Sequence, residues 1–154
     1  RCPERGRLSR ADQRMISAID SSVILDVLTD DPVFASASEA VLRQVAGEGR
    51  LIVCECVIAE IFPAIPEDAD FDGFLADWQM EFEPSSAETA RLAGHHFRSY
   101  LDRGGKPGRI VPDFLIAAHA RTRADRLVAR DRGYLRDYFS DLMVLNPSRH
   151  VAGR

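Results

Sequence analysis

The stretch Ile16–Leu28 (ISAIDSSVILDVL) constrains the fold of this chain more than any other segment. It begins as an apolar strand, reaches Asp20 and two serines, and continues with apolar residues at helical spacing. A carboxylate between a first strand and a helix N-terminus lies on the side of an open α/β sheet where ligands bind. Asp20 is therefore the first candidate for a functional residue.

Short apolar runs alternate with helical patterns along the rest of the chain. The predicted strands are residues 16–20, 51–54, 80–83, 127–131 and 142–145. Strands that are apolar throughout and alternate with helices are typical of a parallel sheet that helices cover on both faces. The sequence therefore predicts an α/β fold with a central five-stranded parallel sheet.

The length and composition of the chain predict one globular domain. Its 154 residues, 45% of them hydrophobic and 29% charged, are enough for a single core and leave little room for a second. We place this domain at residues 15–147, followed by a C-terminal tail at residues 148–154. Residues 1–14 have no hydrophobic periodicity and precede the first methionine, so we expect a disordered extension or upstream sequence there.

Charge and cysteine content limit the classes of function. The formal net charge is −4, and residues 1–14 hold five Arg against one Glu and one Asp, which leaves −7 on the rest. An acidic body does not attract nucleic acid through bulk charge, so a polyanionic substrate would need local basic groups or a metal ion. Cys54 and Cys56 lack the spacing of a zinc site, and we expect buried, reduced thiols. Neither a membrane span nor a signal peptide is visible, which predicts a cytoplasmic protein.

Three further acids occur where such a fold would bring them to one edge of the sheet. If strands one and four are neighbours where the strand order reverses, Asp20 and Asp131 come from adjacent strand ends. Glu60 lies in the helix after the second strand, and Asp113 opens the helix before the fourth. Singly, each Asp has an ordinary role as a cap or turn residue, and Glu60 fits a solvated helix face. Four converging carboxylates, however, need a cation to stay ionised, and oxygen ligands suit Mg²⁺ or Mn²⁺.

Four segments together resemble the PIN-domain ribonucleases, and specifically the VapC-type toxins of toxin–antitoxin pairs. They are AIDSSVILD, the Glu in VIAEIF, PDFLIAAHA and LVARDRGY, in matching order and spacing across Met15–Pro147. The resemblance implies a single PIN-like domain whose acidic pocket binds one or two Mg²⁺ or Mn²⁺ ions and hydrolyses RNA phosphodiester bonds.

Taken position by position, the resemblance implies a role for each acid. Asp20, Glu60, Asp113 and Asp131 would be the catalytic, metal-binding carboxylates, and Ser22 would orient the first acid or a metal-bound water. One departure is Ala129-Arg130, where the family often has Ser or Thr near the last Asp, so no hydroxyl is expected from this strand end.

Basic residues near these acids are candidates for holding RNA phosphates. Some flank Asp131, and others lie in the glycine- and proline-rich loop before Asp113. They are Arg130, Arg132, Lys106 and Arg109. A solvated loop or ion pairs with the acidic site explain the same residues at least as well.

The resemblance also implies partners. They are an RNA substrate, an antitoxin that inserts a segment into the acidic pocket, and a second copy of the chain in a homodimer. The favoured interpretation is a metal-dependent endoribonuclease that acts as the toxin of such a pair. One alternative is a PIN-type nuclease of RNA processing outside any toxin system. Another is a catalytically silent α/β interaction module whose acids only cap helices, which predicts no divalent-ion binding.

Overall fold

A computed structural model of the chain describes residues 14–108, 110–130 and 134–147. Strands and helices alternate from the first strand to the last. The strands are β1 (Met15–Ile19), β2 (Gly49–Val53), β3 (Met80–Phe82), β4 (Arg126–Val128) and β5 (Val144–Leu145). The helices are α1 (Ser21–Leu28), α2 (Ala35–Glu48), α3 (Glu55–Ile61), α4 (Asp68–Asp77), α5 (Ala87–Asp102), α6 (Val111–Arg123) and α7 (Tyr134–Tyr138). A short 3₁₀ helix, Phe62–Ala64, follows α3. Residues 1–13 of the predicted extension and the predicted tail lie outside the described residues.

The five strands form one parallel sheet in the order β3-β2-β1-β4-β5. The chain moves outward from β1 to β3 and then returns to the other side of β1, where Ser17 pairs with Arg126. Because crossovers between parallel strands are right-handed, this reversal places the later helices on the opposite face of the sheet. The predicted α/β fold is confirmed, and strands one and four are neighbours, the condition for bringing Asp20 near the end of β4. The order reverses between β1 and β4, so a ligand site is expected at their carboxyl ends.

The core lies against the central strands. Ile19, Ile52, Leu127 and Val128 each expose 1% or less of their surface. Central strands of a parallel sheet are covered on both faces, which is why these segments are apolar throughout and do not alternate.

Phe114 organises the packing of α5, α6 and the segment around α7. It is fully buried, and among the described residues four aromatic rings lie with their centroids 5.5 to 6.2 Å from its own. They are Phe97, Tyr100, Tyr138 and Phe139. Their tilted and edge-on arrangements are those that aromatic rings favour. Because Asp113 directly precedes Phe114, this aromatic cluster fixes the first turn of α6 against the sheet.

The second strand was predicted at residues 51–54, which would include Cys54, but β2 ends at Val53. Cys54 is the N-cap of α3 and Cys56 lies in its first turn. Both thiols are free, with Cys54 buried and Cys56 half-buried. Burial raises the pKa of the Cys54 thiol, and it raises the pKa of Cys56 to about 11. Both are therefore protonated at neutral pH, which makes them poor metal ligands.

His119 ties α6 to the end of β3. Its side chain is buried, and Nε2 lies 2.8 Å from the backbone carbonyl oxygen of Glu83. Burial lowers the pKa of His119 below its ordinary value of 6.5, although the bond to Glu83 acts in the opposite direction. The buried imidazole is therefore held neutral.

This burial predicts a loss of stability in mild acid. Below about pH 6.5 the unfolded chain binds a proton at His119 more readily than the folded chain, so the free energy of unfolding decreases as pH falls. His96, whose pKa burial also lowers, acts in the same direction. Urea midpoints between pH 8 and pH 5.5 measure this decline. We expect His119→Gln to show a smaller decline, and His95→Gln, at an exposed position, to keep the part of it that His119 causes. Equal declines in wild type and His119→Gln would contradict the assignment.

No helix within the described ranges is both long enough and apolar enough to cross a bilayer.

Candidate active site

A pocket of about 530 Å³ opens where β1 and β4 end, at the carboxyl edge of the sheet. This is the position that the strand order predicts for a ligand site. Three of the predicted acids, Asp20, Glu60 and Asp113, line the pocket together with Ser22 and Arg130. The fold therefore brings together side chains that lie far apart in sequence.

Asp20 follows β1 and is the N-cap of α1. Its backbone amide donates a 2.9 Å hydrogen bond to the carbonyl of Val128, which ties it to the end of β4. Its Oδ2 accepts hydrogen bonds from the backbone amide of Ser22, at 3.0 Å, and from the Ser22 hydroxyl. No described residue donates a hydrogen bond to Oδ1. One oxygen thus caps the helix while the other remains for a ligand, so the cap role and the site role are compatible.

Glu60 lies on the exposed side of α3, next to the start of α1. The Ser21 hydroxyl donates a 2.5 Å hydrogen bond to Glu60 Oε2, which holds this carboxylate at the pocket. Ser21 was not among the predicted site residues. Its position beside Asp20 in the first turn of α1 is the one sequence signal that points to it.

Asp113 lies in the first turn of α6 and is half-buried at the pocket. The fourth predicted acid, Asp131, lies outside the described residues, as do Arg132 and Arg109. The structure therefore places three of the four predicted acids in one pocket.

The described part of the pocket is negatively charged. Arg130 is the one Lys or Arg among the described lining residues, and its guanidinium is paired with Asp26 at 3.0 Å. It also lies 4.3 Å from the centroid of the Phe34 ring. Lys106 is exposed in the loop before α6 and does not line the pocket, and its backbone amide donates to the Tyr100 hydroxyl at 3.1 Å. Of the predicted phosphate-binding residues, only Arg130 is thus placed at the pocket by the described structure.

The ligand atoms at this pocket suit a hard divalent cation. Carboxylate and hydroxyl oxygens are the donors that Mg²⁺ and Mn²⁺ prefer. Among the described residues, no three His, Cys, Asp or Glu side chains are grouped closely enough to hold an ion by themselves. Mg²⁺ keeps several of its waters and is usually bound by one or two carboxylates. An ion at this pocket would therefore be held by one or two of these acids and otherwise by water.

The PIN domain family model matches residues 18–139, which is most of the chain. The chain belongs to the PIN-domain family. This family consists of nucleases, which supports a hydrolase activity. The matched part of the PIN domain includes Asp20, Glu60, Asp113 and Asp131.

The PIN domain is also similar in fold to several solved structures. One is VapBC2 from Rickettsia felis, in a crystal structure bound to a DNA fragment from its promoter. It aligns with a TM-score of 0.66 and 20% identity, covering 86% of this chain and 98% of the other. VapBC-1 from nontypeable Haemophilus influenzae aligns with a TM-score of 0.64 and 18% identity, covering 87% and 99%. FitAcB from Neisseria gonorrhoeae aligns with a TM-score of 0.60 and 17% identity, covering 86% and 98%. At these identities the likeness concerns the fold. Comparison with curated proteins gives no match.

Proposed function

We propose that this PIN domain is a Mg²⁺- or Mn²⁺-dependent endoribonuclease that acts as the toxin of a toxin–antitoxin pair. The observation that carries the proposal is the charge of the pocket. Three carboxylates line it. Arg130, the one basic residue among its described lining residues, already forms an ion pair with Asp26, an acid outside the lining. A phosphodiester is repelled by such a surface unless a cation neutralises it.

The chain's own residues have distinct tasks in this proposal. Asp20 and Asp113 hold the ion, and Ser22 orients Asp20 through the bonds to its Oδ2. Glu60, held by Ser21, and Asp131 bind a second ion or orient the attacking water. When bound, a divalent ion lowers the pKa of a coordinated water and neutralises the charge that builds on the phosphate during in-line attack.

Two further parts of the proposal concern protein partners. The structural neighbours VapBC2 and VapBC-1 support an antitoxin partner, and the acidic pocket suits an inserted basic segment. A homodimer is the second proposed partnership: Phe71, Phe74 and Leu75 of helix α4 pack against the core but stay only half-buried, which leaves apolar surface for a second copy of the chain. A reading frame for a small DNA-binding protein beside this one would favour the toxin role over a nuclease of RNA processing.

Cleavage of end-labelled RNA by the purified protein tests the proposed activity. We expect fragments from a total-RNA or tRNA pool with Mg²⁺ or Mn²⁺, no fragments with EDTA, and recovery when Mn²⁺ is added in excess of EDTA. The control substrate is a single-stranded DNA with the same sequence as an RNA that the protein cleaves, and we expect this DNA to stay intact. Cleavage that persists in EDTA would contradict the metal dependence, and equal cleavage of the DNA would contradict the choice of RNA.

A further inference from the structure

Asp26 is a buried carboxylate that the proposed reaction does not use. Its side chain on α1 is 3% exposed, and Oδ1 lies 3.0 Å from Nη2 of Arg130. Oδ2 accepts a 2.7 Å hydrogen bond from the hydroxyl of Ser38 on α2. A buried charge is costly unless it is paired and hydrogen-bonded, so these contacts hold Asp26 in place. The three residues join α1, α2 and the end of β4.

Arg130 is held on several sides at the wall of the pocket. Besides the ion pair with Asp26, its guanidinium lies against the ring of Phe34, an arrangement that favours a cation. Its backbone amide donates a long hydrogen bond of 3.4 Å to the Ser22 hydroxyl oxygen. The side chain is thus anchored to Asp26 and Phe34, while the backbone contacts a residue of the site.

Ser22 connects this anchor to Asp20. Its hydroxyl donates to Asp20 Oδ2 and accepts from the amide of Arg130. A hydroxyl has one proton, so the bond accepted from Arg130 leaves that proton for the carboxylate. The orientation of Asp20 therefore depends on the position of the Arg130 backbone amide just after β4. The ion pair of Arg130 with Asp26 holds that amide in place.

We propose that Asp26 and Arg130 are positioning residues, whose ion pair orients the Asp20 carboxylate toward a divalent ion through the Ser22 hydroxyl. This inference rests on the proposed function. Hydrogen-bond partners that orient metal ligands commonly change metal affinity 10- to 100-fold when they are lost. A direct contact of Arg130 with an RNA phosphate is the competing role, and the same variants separate the two.

Arg126 supplies a matched control at the other end of β4. It is a buried arginine that forms an ion pair with Glu48 and donates a 2.8 Å hydrogen bond to Ser17. Its pair lies at the amino end of the strand, about 13 Å along the chain from Arg130 at ordinary strand rise. Arg126→Gln thus removes a comparable ion pair without touching the pocket.

The experiment measures the Mn²⁺ dissociation constant by calorimetry, together with kcat and KM for a labelled RNA and the melting temperature. The variants are Asp26→Asn, Arg130→Gln, the double variant Asp26→Leu/Arg130→Met, and the control Arg126→Gln. All affinities are measured well below the lowest melting temperature. We expect Asp26→Asn and Arg130→Gln to weaken Mn²⁺ binding by roughly 10-fold or more, while Arg126→Gln leaves it unchanged. The double variant replaces the pair by apolar groups, so we expect it to regain stability without regaining Mn²⁺ affinity.

Three results would overturn the inference. Unchanged Mn²⁺ affinity in Asp26→Asn, with a lower KM because the freed guanidinium binds RNA better, would assign Arg130 to phosphate contact. A loss of Mn²⁺ affinity in Arg126→Gln as large as that in Asp26→Asn and Arg130→Gln would mean that the effect comes from general destabilisation of the fold. Full recovery of Mn²⁺ affinity in the double variant would mean that the pair only fills space and that its charges do not orient Asp20. If the wild type itself neither binds Mn²⁺ nor cleaves RNA, the proposed function fails first, and this inference fails with it.

Discussion

We expect Asp20→Asn and Asp113→Asn each to lower the rate of Mn²⁺-dependent RNA cleavage by roughly 10²–10³-fold, as large as the loss of one preorganised electrostatic group in an active site. Asn is as good an N-cap as Asp, so Asp20→Asn keeps the start of α1 and removes only the charge. Asp113 lies at the same pocket, where its charge is expected to hold the ion. The rate is measured with end-labelled RNA at saturating Mn²⁺ and again over a range of Mn²⁺ concentrations.

Asp102→Asn is the matched control, because Asp102 is an exposed acid at the end of α5 and does not line the pocket. We expect it to cleave RNA at the wild-type rate. Melting temperatures of all four proteins show whether each is folded. If folded Asp20→Asn and Asp113→Asn cleave as fast as Asp102→Asn, these acids have only a structural role and the silent-module interpretation gains support.

Phe114→Ala has the largest expected effect on stability. Phe114 is fully buried against the aromatic rings of Phe97, Tyr100, Tyr138 and Phe139, and truncating a buried Phe removes apolar contacts and leaves a cavity. We expect a loss of about 3–5 kcal/mol from the free energy of unfolding, which is a large part of the total for a domain of ordinary stability. Denaturant titration followed by circular dichroism measures it.

Phe82→Ala is the control for that change, because the same atoms are removed from a residue of the edge strand β3 that is 53% exposed. We expect a loss below about 1 kcal/mol. Similar losses in the two variants would mean that the aromatic cluster around Phe114 contributes little. A shift in the Mn²⁺ dependence of Phe114→Ala at low temperature would show that the cluster also places Asp113.

The sheet and its functional edge were predictable because they depend on local patterns and general topology. Apolar runs mark strands that are covered on both faces, and an acid after the first strand marks the edge where ligands bind. The ends of elements were less predictable. The fourth strand was predicted at residues 127–131 and is Arg126–Val128, and the fifth was predicted at 142–145 and is Val144–Leu145. Leu142 instead donates its amide to the carbonyl of Phe139 in a turn.

The roles of several polar residues depend on tertiary contacts that local sequence patterns do not reveal. Ser86 caps α5 by accepting from the amide of Thr89, and the amide of the neighbouring Ser85 donates to Glu55 Oε2 of α3 at 3.0 Å. Asp26 looks like one more polar residue of α1, and its burial becomes visible only when the fold brings Arg130 beside it. The role of Ser21 likewise depends on Glu60, which a different helix supplies.

The pairing of β1 with β4 has a consequence for how this protein is made. The contact between Ser17 and Arg126 spans 109 residues, so one wall of the pocket is synthesised long before the other. At ordinary translation rates of about 5–20 residues per second, roughly 5–20 s separate the two strands. Until β4 emerges, β1 lacks a neighbour on one side, and neither Asp113 nor Arg130 has reached the pocket in its final place. Under the proposed function, we therefore expect a chain that is truncated before β4 to cleave no RNA.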